Sequence, residues 1–284
     1  MSAKPDVLAL RSQILRAIRG WFYAADFIEV ETPVRIPQPA LEANIDAEPS
    51  GDHWLRTSPE LHMKRLVAQG NSRIFQLGPC FRQGERGRRH RPEFTMLEWY
   101  CAPGDYELIA EQTSGIIRHV AKAVGPIPGI DLEQFDRTTV HAAFAEFANA
   151  EPEADFELPL VEKVEPNLGF ARPMLLMDYP IALGAMARAK PSAPHLAERW
   201  ELYIKGIEIA NAYSELTDPA EQAARFAHWG EERLADGRAD YAIDPEFMAA
   251  LESGLPPTGG CALGVDRLVM LFADSASIDD VLAF

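Results

Sequence analysis

The chain is short of several things, and each shortage excludes a class of protein. Cysteine occurs only as Cys80, Cys101 and Cys261, far apart and without a CxxC spacing. That leaves no disulfide framework and suits reduced thiols in a cytoplasmic protein. The seven histidines form no HExxH or CxxC…H pattern, so no structural zinc site is expected. No apolar run reaches the roughly 18 residues of a membrane span. The opening MSAKPDVLALRSQ has no signal-peptide core, so neither membrane insertion nor secretion is expected. Basic residues are outnumbered, with 27 Lys and Arg against 43 Asp and Glu and a net charge of −16. A grip on the backbone of nucleic acid rests on clustered Lys and Arg, so stable tRNA or DNA binding is not expected. Internal repeats are missing as well.

What is present begins with 47% hydrophobic residues over 284 positions, enough to bury one large core. The basic residues that do cluster lie in FRQGERGRRHRPEFTMLEWY, residues 81–100. On a strand there, Phe94, Met96, Glu98 and Tyr100 would point to one face. An aromatic ring, a thioether, a carboxylate and a phenol on one face is odd for a plain core, where an unpaired carboxylate is costly. It reads as a pocket wall for something flat and something cationic, with Arg82 and the Arg86–Arg91 loop supplying charge for something anionic. ATP plus an amino acid needs that combination.

The patterning predicts a helix over 7–25 running into FIEVETP, a short strand closed by Pro33. HWLRTS reads as a strand, with Ser58 and Pro59 as N-cap and first turn of a helix to about residue 69. RIFQLGPCFR and EFTMLEWY read as a hairpin around the basic loop, and 105–124 as a helix. The Pro-rich, acidic stretch 125–172 is expected to be an insertion lobe. PMLLMDYP reads as a strand; ERWELYIKG and IEIANAYSEL read as two strands or one broken at Gly206. Helices at about 218–236 and 245–253 precede PPTGGCALGVDRLVMLF, read as a Gly-rich turn feeding a hydrophobic helix. Strands among helices around a central hairpin indicate α+β with a mostly antiparallel sheet flanked by helices.

FIEVETP, FR…HRPEFTMLEWY and GCALGVDRLVML, in that order, resemble motifs 1, 2 and 3 of class II aminoacyl-tRNA synthetases, at about 27–35, 75–101 and 259–273. SPELHMKRL and ELYIKGIEIANAYSELTD resemble the lysyl-specific subgroup. Motif 1 starts near residue 27, leaving no room before it for an anticodon-binding barrel. The chain therefore resembles the free-standing elongation factor P–lysine ligase family, as a single catalytic domain over 1–284. Ser58, where lysyl synthetases usually have Ala, and Ala262, where they usually have Gly, point the same way. The resemblance implies an ATP- and Mg²⁺-dependent homodimer that activates lysine or (R)-β-lysine and joins it to a lysine of elongation factor P. Activation for another acceptor (tRNA, a carrier protein, a small amine) and a non-catalytic regulator are the alternatives.

The same resemblance assigns roles. Arg82 would bind the amino-acid carboxylate and the α-phosphate, using the planar, always-charged guanidinium. Arg267 would hold the γ-phosphate side of a bent ATP, His90 the triphosphate, and Phe94 the adenine ring. Glu201 and Glu208 would hold Mg²⁺, which takes few carboxylates plus phosphate oxygens and water. Their parities differ, so both reach one site only if the chain kinks, which Gly206 could allow. Glu60 would meet the backbone-type amine, and Glu215 and Tyr100 the side-chain amine, with Asn211 assisting, Ser58 and Ala262 lining the pocket, and Glu98 either lining it or standing behind its lining. Two positions depart from the family. Gly84 stands where motif 2 usually has Glu, leaving Glu85 or backbone to reach adenine, and Arg91 replaces an Asn, adding charge near the phosphates. No general base for the incoming amine is evident.

Overall fold

The computed structural model describes residues 5–152 and 156–284. Helix α1 (Pro5–Ala24) carries Ile14, Ala17, Ile18 and Phe22 on one buried stripe. The chain then forms β1 (Ile28–Glu29) and a small sheet of β2 (Arg35–Ile36), β3 (Pro49–Ser50) and β4 (His53–Leu55), followed by α2 (Glu60–Ala68). Strands β5 (Arg73–Phe81) and β6 (Glu93–Cys101) make the expected hairpin, in register from Arg73 opposite Cys101 to Phe81 opposite Glu93. Helix α3 (Tyr106–Val124) starts at Asp105, whose carboxylate accepts from the Leu108 N–H at 2.9 Å. Short elements follow: β7 (Asp136–Thr139), α4 (Val140–Ala143) and α5 (Glu157–Pro159). Next come β8 (Met174–Pro180), β9 (Ala189–Lys190), β10 (Ala193–Ile204) and β11 (Ile207–Ser214). Helices α6 (Pro219–Ala235) and α7 (Pro245–Glu252), strand β12 (Gly259–Gly264) and helix α8 (Val265–Phe272) complete the order.

The large sheet runs β1-β5-β6-β12-β11-β10-β8-β7, with β9 beside β10. It is antiparallel except where β1 pairs β5 and β7 pairs β8, as the α+β reading requires. One face is apolar. Leu97, Trp99, Cys261, Leu263, Trp200 and Leu202 bury against α1, α3 and α8, and Phe22 stacks on Phe75 with centroids 4.4 Å apart. Alternation sends the intervening residues to the opposite face, which carries the cavity described below. A second cluster joins α2, α6 and α7 beside that cavity, and a third packs residues 140–148 and 156–168 against β8 and β10. Among the described residues no helix is long and apolar enough to cross a membrane.

Several local readings change. Pro59, not Ser58, occupies the N-cap position of α2 and no side chain caps it, so the Ser58 hydroxyl is left for the cavity. The Gly-rich run is not a turn but the central strand β12, between β6 and β11. Glycine is needed there because a Cβ at 259 would overlap the Asp105 carbonyl, and one at 260 the Glu215 carboxylate and Tyr100 ring. The stretch 125–172 supplies the edge strand β7 and the small third core, so it is continuous with the sheet. β10 and β11 are two strands, joined through Lys205 and Gly206, both at positive φ.

Candidate active site

A cavity of about 470 Å³ opens over the polar face of the sheet, and every predicted site residue lines it. Its floor follows from strand alternation. Phe94, Met96, Glu98 and Tyr100 of β6 face it together, as their shared parity requires. Opposite them β12 presents only small residues: Gly260 beside Tyr100, Ala262 beside Glu98 and Gly264 beside Met96. On the far side Ala262 pairs with Asn211. The small residues leave a trough flanked by Glu98 and Asn211, and Ala262 adds one methyl to its floor.

The amino-acid end contains a residue that sequence reading missed. Lys64 is 1% exposed, and its Nζ lies 2.5 Å from Glu60 Oε1 and 2.6 Å from Glu215 Oε2. Burial opposes its charge, but the two carboxylates win and hold the ammonium above its ordinary pKa. Burial pushes the Glu215 carboxyl up to about 7 against the pull of Lys64. It pushes Glu98 to about 8, with Glu60 adding to the shift. The Tyr100 hydroxyl donates to Glu98 Oε1 at 2.7 Å, and Asn211 Nδ2 donates to the Tyr213 oxygen at 2.9 Å. Glu98 Oε2, Asn211 Oδ1 and Ser58 Oγ are buried with no hydrogen-bond partner among the described residues. Asn211 Oδ1, the Ser58 hydroxyl and, once Glu98 has lost its proton, Glu98 Oε2 can each accept from a ligand rich in N–H donors.

The other end is cationic. The Arg82 guanidinium sits over the Phe94 ring, 5.2 Å from its centroid, with Nη1 3.8 Å from Glu85 Oε1 and Nε buried without a hydrogen-bond partner among the described residues. Gly84 has φ +76°, which explains glycine at that position: the turn after Arg82 takes the left-handed region. Arg267, in the first turn of α8, donates Nη1 to the Glu208 carbonyl at 2.9 Å and to Glu208 Oε2 at 3.0 Å. Its Nη2 meets His90 Nε2. Burial, then Arg267, lowers the His90 pKa, so a neutral ring accepts from the guanidinium. Arg91 does not add free charge as its position suggested, because it pairs with Asp279 and donates to the Gly87 and His90 carbonyls.

Glu201 and Glu208 do face one site, but not through a kink at Gly206. The β10–β11 register shifts between Leu202 and Tyr203, and on β11 both Ile209 and Ala210 bury in the core. This bulge flips the alternation and returns Glu208 to the face of Glu201 and Asn211. Glu201 Oε1 accepts from Arg199 Nη2 at 2.6 Å and Oε2 from the Tyr203 hydroxyl at 2.7 Å. Although burial opposes it, Arg267 holds Glu208 below the usual carboxylate range. No group of three or more His, Cys, Asp or Glu among the described residues could hold a metal alone. Two hard oxygen donors on one wall fit Mg²⁺, whose remaining ligands come from phosphates and water. Glu42, Glu165 and Arg199 also line the cavity and escaped sequence reading. Each becomes visible only once distant segments are brought together.

The profile of the tRNA synthetases class II (D, K and N) matches residues 2–284. A lysine–tRNA ligase from Azoarcus sp. (strain BH72) is 39% identical over 96% of this chain. The chain spans only 62% of that relative's length. The elongation factor P–(R)-β-lysine ligase of Vibrio cholerae is 37% identical over 100% of this chain and 96% of its own length. The ligase of the same name from Pseudoalteromonas translucida is 38% identical with the same coverage of both. Spanning these ligases nearly end to end, and carrying the class II profile throughout, the chain belongs to the class II tRNA synthetases and, within them, to the elongation factor P–(R)-β-lysine ligase family.

Proposed function

We propose that this chain is an ATP-dependent, AMP-forming ligase that activates (R)-β-lysine as its adenylate and transfers it to a lysine side chain of elongation factor P. The observation that carries the reading is the charge of the amino-acid end. Three carboxylates, Glu60, Glu98 and Glu215, less the Lys64 ammonium leave two negative charges when all are ionised. A lysine-type substrate brings two ammonium groups, and buried charges need partners.

The carboxylate of that substrate faces Arg82 and attacks the α-phosphorus of ATP, expelling pyrophosphate. Arg82 stabilises the charge that develops there, Arg267 and His90 hold the outer phosphates, and Phe94 stacks on adenine. The Arg82 guanidinium lies over the Phe94 ring, so the phosphate-binding and adenine-binding groups adjoin. Glu201 and Glu208 would hold Mg²⁺, which screens phosphate charge when bound. Positioning supplies most of the remainder. The acceptor amine then attacks the acyl carbon, giving an amide and AMP.

ATP–pyrophosphate exchange with each lysine isomer, followed by labelling of elongation factor P against tRNA, tests this. Exchange with (R)-β-lysine and label on elongation factor P are expected. No exchange with any lysine isomer, or label on tRNA alone, overturns it.

A further inference from the structure

The transfer step must dispose of a proton, and the cavity groups described above are engaged. Glu60 and Glu215 hold Lys64, Glu201 and Glu208 hold arginines, and His90 accepts from Arg267. Glu98 forms the floor under the substrate's amines. Of the other carboxyls lining the cavity, Glu85 pairs with Arg82, Glu165 accepts from the Tyr203 hydroxyl, Asp266 pairs with Arg11 and Glu157 is exposed, which leaves Glu42.

Its loop is pinned, not adrift. Arg233 of α6, with a fully buried side chain, donates Nη1 to the Glu42 and Ile45 carbonyls, each at 2.8 Å. Its Nη2 reaches Asp46 Oδ1 at 2.7 Å. The Asp46 carbonyl accepts from the Gln83 N–H at 2.8 Å, which fastens the loop beside Arg82. The Ala47 N–H donates to the Tyr241 hydroxyl at 2.8 Å, and Ala40 and Leu41 are buried in the second core. Glu42 itself has no side-chain hydrogen bond or ion pair among the described residues. The charges that face it are Arg82 and Glu85 from the hairpin loop, Glu60 from α2 and Arg199 from β10. Glu42 and Arg82 line one cavity, and Arg82 is near enough to pull on the carboxyl, so Glu42 looks onto the space where Arg82 would position the acyl carbon.

We propose, resting on the ligase reading above, that Glu42 is the general base of the transfer step. The acceptor amine arrives neutral, having left one proton in solvent. Its nitrogen bonds to the acyl carbon, and the bond from that carbon to the phosphate oxygen breaks with its electron pair leaving on AMP. The second proton on nitrogen passes to the Glu42 carboxylate and from there to water. Burial, opposed by Arg82, pushes the Glu42 carboxyl up to about 7, where a base is half ionised and effective at neutral pH.

The test separates the half-reactions. Enzyme carrying preformed aminoacyl-adenylate is mixed with elongation factor P, and amide formation is followed in a single turnover across pH. In Glu42→Gln the transfer rate falls about 100-fold and the inflection near neutral pH disappears. The amino-acid KM in exchange moves by less than about threefold. Glu42→Asp keeps the inflection at a reduced rate, which separates loss of the base from loss of the fold. A transfer rate within about threefold of the unaltered enzyme, or a loss confined to exchange, overturns the role of Glu42. Absence of exchange in the unaltered enzyme is the different result that overturns the ligase reading itself.

Discussion

Lys64 illustrates how a single buried charge governs a pocket. With its ammonium between Glu60 and Glu215, each carboxylate keeps one oxygen for a ligand, and Lys64 favours the ionised form of Glu215. Lys64→Met conserves length and removes the charge. Glu215 then loses the group that lowers its pKa, so its carboxyl stays protonated to higher pH. The acid limb of the amino-acid KM, measured by exchange, should move up by about one pH unit or more. Lys64→Arg should return it toward the original position. A merely structural lysine would lower thermal stability and leave that limb where it was, which is the result that sinks the idea. In SPELHMKRL the residue reads as a solvated helix lysine with an i−4 glutamate, since Glu215 arrives from another strand. The residues of β6 were legible for the opposite reason: a period of two fixes their face with no outside information.

At the scale of elements, the site depends on how β12 fits between its neighbours. Its inward positions are Gly260, Ala262 and Gly264, opposite Tyr100, Glu98 and Met96. Gly260→Ala places a methyl into the Glu215 carboxylate and the Tyr100 ring, so one of them must move. Because Glu215 is tied to Lys64 and Tyr100 to Glu98, relief on either side opens the amine end of the pocket. Overpacking of this kind costs about 1–3 kcal/mol. A lower melting temperature is expected, together with a rise in the amino-acid KM of about tenfold or more and a smaller change in the ATP KM. Equal rises in both would show that the damage is not local to the amine end. Most helices and strands were readable from periodicity, the helix over 105–124 among them, while the cap that starts it, Asp105, was not read. β12 was not, because glycines carry no side-chain pattern and their run looks like a turn. The bulge at Ile209 was hidden for a related reason, since a flip in alternation is invisible until a partner strand fixes the register.

Across the whole molecule, an acidic chain gathers arginines and protonated carboxyls into one cavity, and its stability in the ligand-free state depends on pH as a result. Glu98, 2% exposed, is pushed by burial from 4.5 up to about 8, and Glu215 from 4.5 to about 7. A carboxyl raised in the folded state stabilises the fold fully below 4.5 and loses that contribution as pH climbs through 7 and 8. Glu42 and Glu165, each pushed up to about 7 by burial, act in the same window and the same direction, while the remaining shifted groups act outside it. Glu208, held low, matters as pH falls toward acid, Lys64, held high, matters in strong base, and His62 and His90, both lowered, are already neutral. Cys80, pushed up to about 12, begins to matter only above the ordinary thiol value of 9.0. Between about pH 7 and pH 8.5 the ligand-free protein should therefore lose on the order of 1 kcal/mol, read as a fall of about 2–4 °C in melting temperature. Glu98→Gln removes the carboxyl raised furthest and should make that slope shallower. A substrate with two ammonium groups supplies the missing positive charge, so its binding near pH 7 should expel a proton from Glu98. Calorimetry in two buffers of different ionisation enthalpy reads that release directly. A melting temperature that rises over the window, or an equal slope in Glu98→Gln, would show that Glu98 is ionised in the free cavity and that the charge match between pocket and substrate is set before binding.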